Sequence, residues 1–409
     1  MALTIPHRIV VAPSGFKESL STQEVAESIA AGVRRVLPGT DVRTFPVVDG
    51  GEGTAACLAE VTGGRIVPVE VTGPVGEPVR SHYALLGGAG EGIALVEMAA
   101  AAGLRLVPRD ARDPARTTTR GVGELLLAAL ESGARRIVIG CGDSGTCDGG
   151  AGFVEALGGR LLDAHGRELP GVGTSLSQVA SLDLTGLDPR LADVEIDVAC
   201  NIHNVLCGPR GVARVFGPQK GATPEQVEEL SAGLERWAGV LAQACQVPAG
   251  LDLEHGPGTG ASGGLGAAVA TVAGGRLRSR FDVLLDSGLM GGDLDEAIAT
   301  ADLVITAEGA VDYQTPRGKV PAEVARRAKR VGVPVIAMAG SIGERADEVH
   351  DIGIDAVAGI IPIPMDLAQA VEEASRLVAD AAERMMRFVV LGAVIAHRTE
   401  QATLETATR

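Results

Sequence analysis

Lysine is scarce in this sequence of 409 residues. Only four of its 36 basic residues are lysines, so arginine supplies nearly every surface cation. Three of the four, Lys17, Lys220 and Lys319, lie in loop stretches that carry glycine or serine. A compact charge on a flexible side chain is suited to neutralising phosphate. These positions therefore favour a protein that binds a phosphorylated ligand, with chance placement in loops as the alternative.

Aromatic residues, basic runs and long apolar runs are also scarce. Aromatics make up 2% of the chain, so the core must be aliphatic. The formal net charge is −16 without a basic stretch, which argues against nucleic-acid binding. The longest late apolar run, Phe388–Ala396, is about half a membrane span, and we find no export signal. The six cysteines lack the paired spacing of a zinc site. We expect a cytoplasmic, soluble protein that does not bind membranes, and a homodimer is left open.

Strands alternate with helices in the first and last thirds of the chain, as is typical of a parallel sheet. The first strand, Arg8–Ala12, precedes a loop and a helix that begins with the capping box of Ser21 and Glu24. Short strands with glycine and proline turns occupy much of the middle. We predict an α/β fold, with a discontinuous, doubly wound (Rossmann-like) parallel-sheet domain and an inserted second α/β domain of mixed sheet. The predicted ranges are 1–65 plus 285–390, 66–284 for the insertion, and 391–409 for a polar tail. The site is expected in the cleft between the domains, at the carboxyl ends of the strands.

Two loops that follow predicted strands carry acids between glycines. DGGEG sets Asp49 and Glu52 three residues apart, so the two carboxylates could hold Mg²⁺ or orient a hydroxyl; an acidic turn with a helix cap is the alternative. GDSGTCDGG carries Asp148 among amides and hydroxyls that could surround an anion, or it is an elaborate turn. The candidate anion-binding residues of this second loop are Ser144, Gly145 and Thr146.

Three further loops carry candidate groups. EGAVDYQTPRGK follows an apolar strand, and its acids and lysine are typical of metal and phosphate handling. FGPQKGAT places Lys220 just before a helix capped by Thr223, where an anion could bind, although a helix-entry turn explains it nearly as well. GTGASG (258–263) matches a dinucleotide pattern, but no strand precedes it, so a phosphate-binding or helix-packing turn is favoured. The candidates in the first and third loops are Glu308, Asp312, Gln314, Lys319, Gly260, Ser262 and Gly263.

The ordered set PSGFKESLS, DGGEGT, GDSGTCDGG, FGPQKGA, GASGGLGA and EGAVDYQTPRGK resembles the bacterial-type glycerate kinase family, of the glycerate 2-kinase type. The resemblance extends from about Ile9 to Arg387. It implies a Rossmann-like domain split by an inserted α/β domain, and phosphorylation of D-glycerate that depends on ATP and Mg²⁺ and usually yields 2-phosphoglycerate. Many members have Asp-Ser where this chain has Ser14-Gly15, and Asn where it has Cys147. These departures leave the acceptor acid open.

Phosphoryl transfer needs positioning and charge neutralisation more than covalent chemistry, and this guides the expected roles. Asp148 or Asp312 would orient the acceptor hydroxyl as general base. The backbone of Ser144–Thr146 and an arginine would hold the glycerate carboxylate. The candidate catalytic residues are Lys17, Asp49, Asp148 and Asp312. The candidate substrate-binding residues are Ser144, Gly145, Thr146, Lys220 and Gln314. The candidate nucleotide- or phosphate-binding residues are Lys319, Gly260, Ser262 and Gly263. The candidate metal ligands are Glu52 and Glu308.

Other functions stay open at this point. The chain could phosphorylate another small hydroxy acid, or the 3-position of glycerate. A nicotinamide-dependent oxidoreductase would need a glycine fingerprint in the first strand–turn–helix, where the chain reads PSGFKES. A non-catalytic sensor of phosphorylated metabolites would bind its ligand without turnover.

Overall fold

A computed structural model describes residues 5–16, 19–290 and 292–407 of the chain, with side chains described through Thr399. Lys17 lies outside the described residues, so its role stays a prediction. Within the described part of the chain, no helix combines the length and apolar character needed to cross a bilayer.

The strands of the described residues are short, mostly three to nine residues long. In chain order they are β1 (Arg8–Val11), β2 (Asp41–Thr44), β3 (Arg65–Thr72), β4 (Pro78–Leu85), β5 (Ile93–Glu97), β6 (Arg136–Gly140), β7 (Arg160–Leu162), β8 (Glu168–Leu169), β9 (Ser181–Asp183), β10 (Glu195–Cys200), β11 (Arg276–Ser279), β12 (Leu303–Val311), β13 (Val335–Ile342) and β14 (Ala356–Gly359).

The α-helices connect and cover these strands. They are α1 (Thr22–Val36), α2 (Thr54–Thr62), α3 (Ala99–Ala102), α4 (Arg120–Glu131), α5 (Ala151–Ala156), α6 (Val212–Phe216), α7 (Pro224–Ala244), α8 (Ala261–Val272), α9 (Arg280–Leu284), α10 (Leu294–Ala299), α11 (Val320–Val331), α12 (Leu367–Glu372) and α13 (Ala374–Ala407).

The chain divides into two compact units, and the first of them is discontinuous in sequence. Unit 1 contains Met1–Val48 and Asp293–Arg409, and unit 2 contains Asp49–Gly292. The predicted α/β class, with a parallel sheet in one unit and a mixed sheet in the other, is confirmed. The divisions fall at other positions than the predicted boundaries, because α2 packs against β3, β4 and β5 and therefore groups with unit 2.

Unit 1 is built on a five-stranded sheet in which every pairing is parallel, in the order β14-β13-β12-β1-β2. Numbered within the unit, this is the 2-1-3-4-5 order of doubly wound folds. The chain proceeds from β1 to β2 on one side and returns through β12 on the other. Ligands in such folds bind at the carboxyl ends of the two strands where the order reverses, here β1 and β12.

The core of unit 1 is aliphatic, as the composition predicts. Val25, Ile29 and Val33 recur at helical spacing on α1 and are buried under the sheet. Helix α13 crosses α1 so closely that a Cβ on Gly32 would lie 2.1 Å from the carbonyl oxygen of Ala379. Glycine is therefore required at this helix crossing.

Unit 2 holds a six-stranded mixed sheet in the order β11-β10-β6-β5-β4-β3 and a three-stranded sheet in the order β8-β7-β9. Strands β5, β6, β10 and β11 are parallel, whereas β3, β4 and β5 pair antiparallel. The parallel strands are buried on both faces; Ile137, Val138 and Ile139 of β6 have no exposed surface. The four parallel strands end at one edge, which collects the loops that follow them.

Helix α13 continues through Ala407. The sequence predicted a polar tail over 391–409, and the helix occupies most of that range. The segment after Gly392 contains no further glycine or proline and is rich in good helix formers, which favours continuation of the helix. The side chains of Phe388, Leu391 and Ile395 on this part of α13 are exposed.

Candidate active site

The DGGEG loop lies across the carboxyl edge of the unit 2 sheet. A Cβ on Gly50 would lie 3.2 Å from the Ala199 carbonyl oxygen and 3.2 Å from the Cys141 amide nitrogen, and its φ is +82°. Only glycine fits comfortably at this close approach to the ends of β6 and β10. Gly50 therefore allows the loop to pack directly against the sheet.

Asp49 is held by an arginine that sequence reasoning did not identify. Nη1 of Arg280 lies 3.2 Å from Oδ2 of Asp49 and donates to its carbonyl oxygen at the same distance. The Arg280 side chain is 10% exposed and that of Asp49 is 39% exposed. A nearly buried cation therefore fixes the position of a partly exposed carboxylate. The sequence predicted that an arginine would take part, but RLRSRF offers three of them without a motif to separate them.

Glu52 and Asp143 also belong to this edge. A 3.1 Å ion pair joins Glu52 to Arg105, and Oδ2 of Asp143 accepts a hydrogen bond from the Glu52 amide at 3.1 Å. Asp143 adopts a φ of +52°, an uncommon conformation for a residue with a side chain. The sequence predicted Glu52 as a metal ligand, and the structure places it among these charged partners.

Glu97, at the end of β5, anchors the far side of the same loop. It is 2% exposed and accepts hydrogen bonds from the amides of Gly53 at 3.2 Å and Ala55 at 3.0 Å, at the start of α2. Burial raises the pKa of Glu97 to about 7, against the lowering effect of these two amides. The nearby carboxylates of Glu52 and Asp143 add to the increase. Sequence reasoning missed Glu97, since a single acid at a strand end carries no motif.

The GDSGTCDGG loop encloses Lys220. The lysine is 3% exposed, and its Nζ donates to Oγ of Ser144 at 2.9 Å and to the carbonyl oxygen of Thr146 at 2.7 Å. The Sγ of Cys147, which is fully buried, lies 3.9 Å from the same nitrogen. The structure therefore brings three predicted substrate-binding residues together, with the lysine amine turned into the loop. A fourth, Gly145, packs against Val107 and Leu104, and the fifth, Gln314, belongs to unit 1.

Asp148 is the most enclosed acid of the loop. It has no exposed surface, and its carboxylate accepts hydrogen bonds from the amide and hydroxyl of Thr119 at 2.7 Å and from the amides of Gly150 and Gly152 at 3.2 Å. Burial raises its pKa, although these four donors oppose the rise. The carboxylate joins the start of α4 to the start of α5.

The predicted nucleotide-binding turn packs against the same loop. Gly263 accepts a hydrogen bond from the Gly149 amide at 3.0 Å, and a Cβ on it would lie 2.0 Å from the Thr146 carbonyl oxygen. A Cβ on Gly260 would lie 2.2 Å from the Val205 carbonyl oxygen. Both glycines are therefore needed for backbone packing. Between them, Ser262 adopts a φ of +51° and is 9% exposed.

Unit 1 presents a second charged cluster at the end of β12. Nζ of Lys319 lies 3.1 Å from Oε1 of Glu308 and 3.5 Å from Oδ1 of Asp312. It also donates to the carbonyl oxygen of Ala310 at 3.2 Å. Asp312 accepts a hydrogen bond from the Gln314 amide at 2.8 Å. The structure thus brings together a lysine and two acids that the sequence predicted for phosphate and metal binding.

The loop after β1 runs beside this cluster because β1 and β12 are neighbours in the sheet. The amide and hydroxyl of Ser14 both donate to the Ala307 carbonyl oxygen, at 2.9 Å and 3.0 Å. Ser14 is one of the two departures from the motif, and here it ties the loop to β12. Lys17 follows in the same loop, outside the described residues.

The donor set of the unit 1 cluster suits Mg²⁺ that is bound to phosphate. The described residues contain no group of three or more His, Cys, Asp or Glu side chains that could enclose a metal ion unaided. Mg²⁺ at phosphoryl-transfer sites usually takes one or two carboxylates, with waters and phosphate oxygens as its other ligands. Glu308 and Asp312, which share Lys319, match that requirement. Glu52 belongs to unit 2.

Comparison with known proteins identifies the family. Residues 9–390 match the model of the glycerate kinase family. The chain is 47% identical over 368 residues to a glycerate kinase of Bacillus subtilis strain 168, covering 90% of this chain and 94% of that protein. It is 46% identical over 355 residues to a glycerate 2-kinase of Escherichia coli K12, covering 87% and 90%.

A solved structure agrees with these sequence matches. The crystal structure of a Salmonella typhimurium LT2 protein assigned as glycerate kinase 2 superposes with a TM-score of 0.75 at 44% identity, and the match covers 95% of this chain and 99% of that one. With a family model spanning nearly the whole sequence and relatives this similar, the chain belongs to the glycerate kinase family.

Proposed function

We propose that the chain transfers the terminal phosphoryl group of ATP, as its Mg²⁺ complex, to D-glycerate, and that the product is 2-phosphoglycerate. Membership of the glycerate kinase family supports the acceptor and the reaction class. The observation that supports the nucleotide half is the Lys319 cluster at the end of β12, one of the two strands at which the strand order of the unit 1 sheet reverses.

In unit 1, Lys319 would neutralise phosphate oxygens, with Lys17 as a second predicted cation from the loop after β1. Glu308 and Asp312 would hold Mg²⁺, which when bound supplies charge neutralisation to the transferring phosphoryl group. Because Lys319 already contacts both carboxylates, its amine and the metal ligands are pre-positioned around one point. Gln314, whose amide binds Asp312, supports the turn that carries these groups.

In unit 2, the DGGEG and GDSGTCDGG loops would bind the acceptor. Asp49 is half-exposed and aligned by Arg280, so it can face a substrate hydroxyl. Ser144, Thr146, Cys147 and Lys220 form one cluster, and Ser144 is its partly exposed member. Asp148 is given a positioning role, because four hydrogen bonds occupy its buried carboxylate. Asp49 therefore remains the candidate for taking the hydroxyl proton, because Asp312 is assigned to Mg²⁺.

Phosphorus NMR of the reaction mixture tests the proposal directly. D-glycerate and ATP are incubated with the protein and Mg²⁺, with matched samples lacking Mg²⁺ or containing GTP. We expect one new phosphomonoester resonance that requires the metal and grows with ADP. In the proton-coupled spectrum, a phosphate on carbon 2 is split by one proton into a doublet. A triplet, from the two protons on carbon 3, would reassign the product, and no new resonance would overturn the proposal.

A second acceptor is favoured by one observation. Cys147, one of the two departures from the resemblance, lies 3.9 Å from Nζ of Lys220, which also donates to Ser144. A change beneath the acceptor loop could alter which hydroxy acid fits best. We therefore propose that kcat/KM be compared for D-glycerate and for two- and three-carbon hydroxy acids, in the wild type and in Cys147→Asn. A preference for another acid that shifts towards glycerate in the variant would identify a different natural acceptor.

A further inference from the structure

Lys220 is a buried cation without a carboxylate beside it. It is 3% exposed, and no carboxylate oxygen of the described residues lies within 4.0 Å of its Nζ. Its two close partners, Oγ of Ser144 and the carbonyl oxygen of Thr146, are neutral. Burying an ammonium group is unfavourable unless it is well paired. The positive charge is therefore available to stabilise an anion that approaches the cluster.

The other side chains around Lys220 do not compensate its charge. Burial raises the pKa of the Cys147 thiol, although Lys220 opposes the rise, so the sulfur is not an anion at neutral pH. Asp148 belongs to the same loop, but its carboxylate is directed to the donors of Thr119, Gly150 and Gly152. A negative partner must therefore come from outside the cluster.

The contact between Lys220 and Ser144 fixes the direction of the serine hydroxyl. An ammonium group has protons to donate and no lone pair, so Oγ of Ser144 is the acceptor in the 2.9 Å hydrogen bond. The hydroxyl proton of Ser144 then points elsewhere, and the described part of the chain offers it no acceptor. Ser144 is only partly buried, whereas Thr146 and Cys147 behind it are fully enclosed. The serine is therefore the outer end of the cluster.

The Ser144 hydroxyl is a donor next to a positive charge, so it is better suited to the carboxylate of a hydroxy acid than to the hydroxyl. The hydroxyl that receives the phosphoryl group must give up its proton, so it needs an acceptor nearby. The carboxylate needs donors, and a hydrogen bond to a charged group is about twice as strong as a neutral one. The chemistry at Ser144 therefore matches the carboxylate.

We propose that the Ser144 hydroxyl binds the carboxylate of the acceptor substrate, and that Lys220 is a positioning residue that acts through Ser144 by holding this hydroxyl as an outward donor. This inference rests on the proposed function and adds the group that selects acids over neutral polyols. It also revises the direct substrate contact predicted for Lys220 from the sequence.

Ser144→Ala is the first test. Losing a hydrogen bond to a charged group should raise KM for D-glycerate about 10- to 100-fold with a much smaller change in kcat. Ser144→Thr keeps the hydroxyl and should restore most of the affinity. Ser177→Ala, which removes an exposed serine hydroxyl elsewhere in unit 2, is the matched control and should leave KM unchanged.

Binding calorimetry without nucleotide separates the carboxylate from the rest of the molecule. Wild type and Ser144→Ala are each titrated with D-glycerate and with its neutral methyl ester. The variant should lose affinity for the acid and little for the ester. An equal loss for both ligands would overturn the assignment of Ser144 to the carboxylate.

Lys220→Met tests the positioning role, since methionine keeps the apolar stem and removes the charge. Alone, it should raise KM for D-glycerate to a degree similar to Ser144→Ala. In the double variant the second change should add little, because both residues act through one hydroxyl. Thermal unfolding shows whether Lys220→Met keeps its structure. Lys329→Met, which removes an exposed lysine on α11, is the matched control. Independent, multiplying effects would exclude an action through Ser144.

The outcomes separate this inference from the function on which it rests. If the wild-type protein does not phosphorylate D-glycerate with MgATP, the proposed function fails. If the wild type is active and Ser144→Ala has an unchanged KM, the function stands and the inference fails. Should Lys220→Met not fold, the serine variants still decide the role of Ser144.

Discussion

Nη1 of Arg280 contacts both Oδ2 and the carbonyl oxygen of Asp49, each at 3.2 Å. Arg280 follows β11 and Asp49 opens the DGGEG loop, so the pair joins segments 231 residues apart. A nearly buried arginine that contacts both groups fixes the position and the charge of a half-exposed carboxylate. This is the arrangement expected where a carboxylate must meet a substrate in one orientation.

Asp49→Asn should lower turnover of D-glycerate by ~10²–10³-fold, because the isosteric amide removes the negative charge and the Asp49–Arg280 ion pair. Steady-state kinetics at saturating MgATP measures the effect. Asp41→Asn, an exposed acid on β2, provides the control and should retain wild-type turnover. Turnover of Asp49→Asn within a few-fold of the wild type would remove Asp49 from the catalytic residues.

Lys319 should be needed to bind the phosphates of the nucleotide, because its ammonium group lies between the two candidate metal ligands, Glu308 and Asp312. Lys319→Met should lower kcat/KM for MgATP by ~10²-fold, an effect comparable to loss of one donor at a charged transition state. Lys319→Arg should not restore activity, because a planar guanidinium cannot replace a compact ammonium between two carboxylates.

The control for this pair is Lys329→Met, because Lys329 lies on the exposed face of α11, the same helix that Lys319 precedes. Its kinetics should match the wild type. If Lys319→Met kept its affinity and turnover for MgATP, the phosphate site would have to be sought elsewhere.

Local structure could be predicted from the sequence because its signals are local. The predicted capping box of Ser21 and Glu24 and the predicted cap Thr223 mark the starts of α1 and α7. In the structure, Thr223 forms a capping box with Gln226. The apolar run before Glu308 predicted β12 to within a few residues. The order of the strands in each sheet could not be predicted in this way, since it depends on pairings between residues hundreds of positions apart.

The site shows the same division. Its loops were predicted because glycine, acids and lysine cluster after strands, and Lys220 was singled out for that reason. The partners of Lys220 could not be predicted, because Ser144 lies 76 residues away and the direction of the amine depends on packing. Arg280 and Glu97 were missed because a lone arginine or acid at a strand end resembles many others. Only the fold shows that Glu97 lies beneath a loop that carries two further acids.

Asp148→Asn separates a structural role from the catalytic one that the sequence suggested. The NH₂ group of the asparagine side chain is a donor and cannot accept from at least one of the four present donors. One buried hydrogen bond is therefore lost, and the free energy of unfolding should fall by about 1.5–3 kcal/mol. Urea denaturation measures this loss. The control is Asp110→Asn, an exposed acid of the same unit that should leave stability unchanged. A variant of undiminished stability that lost turnover would return Asp148 to the catalytic residues.

Glu97 should make the stability of the protein depend on pH in a defined window. Its pKa is raised from the ordinary value of 4.5 to about 7 in the folded protein, chiefly by burial. The folded state therefore holds this proton more tightly than the unfolded state does. The resulting stabilisation is complete below about pH 4.5 and is lost as the pH rises through about 7. Glutamine does not titrate, so a Glu97→Gln variant lacks this dependence.

The free energies of unfolding of the wild type and of Glu97→Gln should accordingly diverge between pH 5 and pH 8, shifting in favour of the variant by on the order of 2–3 kcal/mol. Urea titrations across this range, without Mg²⁺, isolate the effect, because the other titrating groups are common to both proteins and cancel in the difference. Glu91→Gln, at an exposed acid, should show a constant difference from the wild type. A constant difference for Glu97→Gln as well would mean that its carboxylate ionises in the folded protein as readily as in the unfolded chain, and that the amides of Gly53 and Ala55 fully offset its burial.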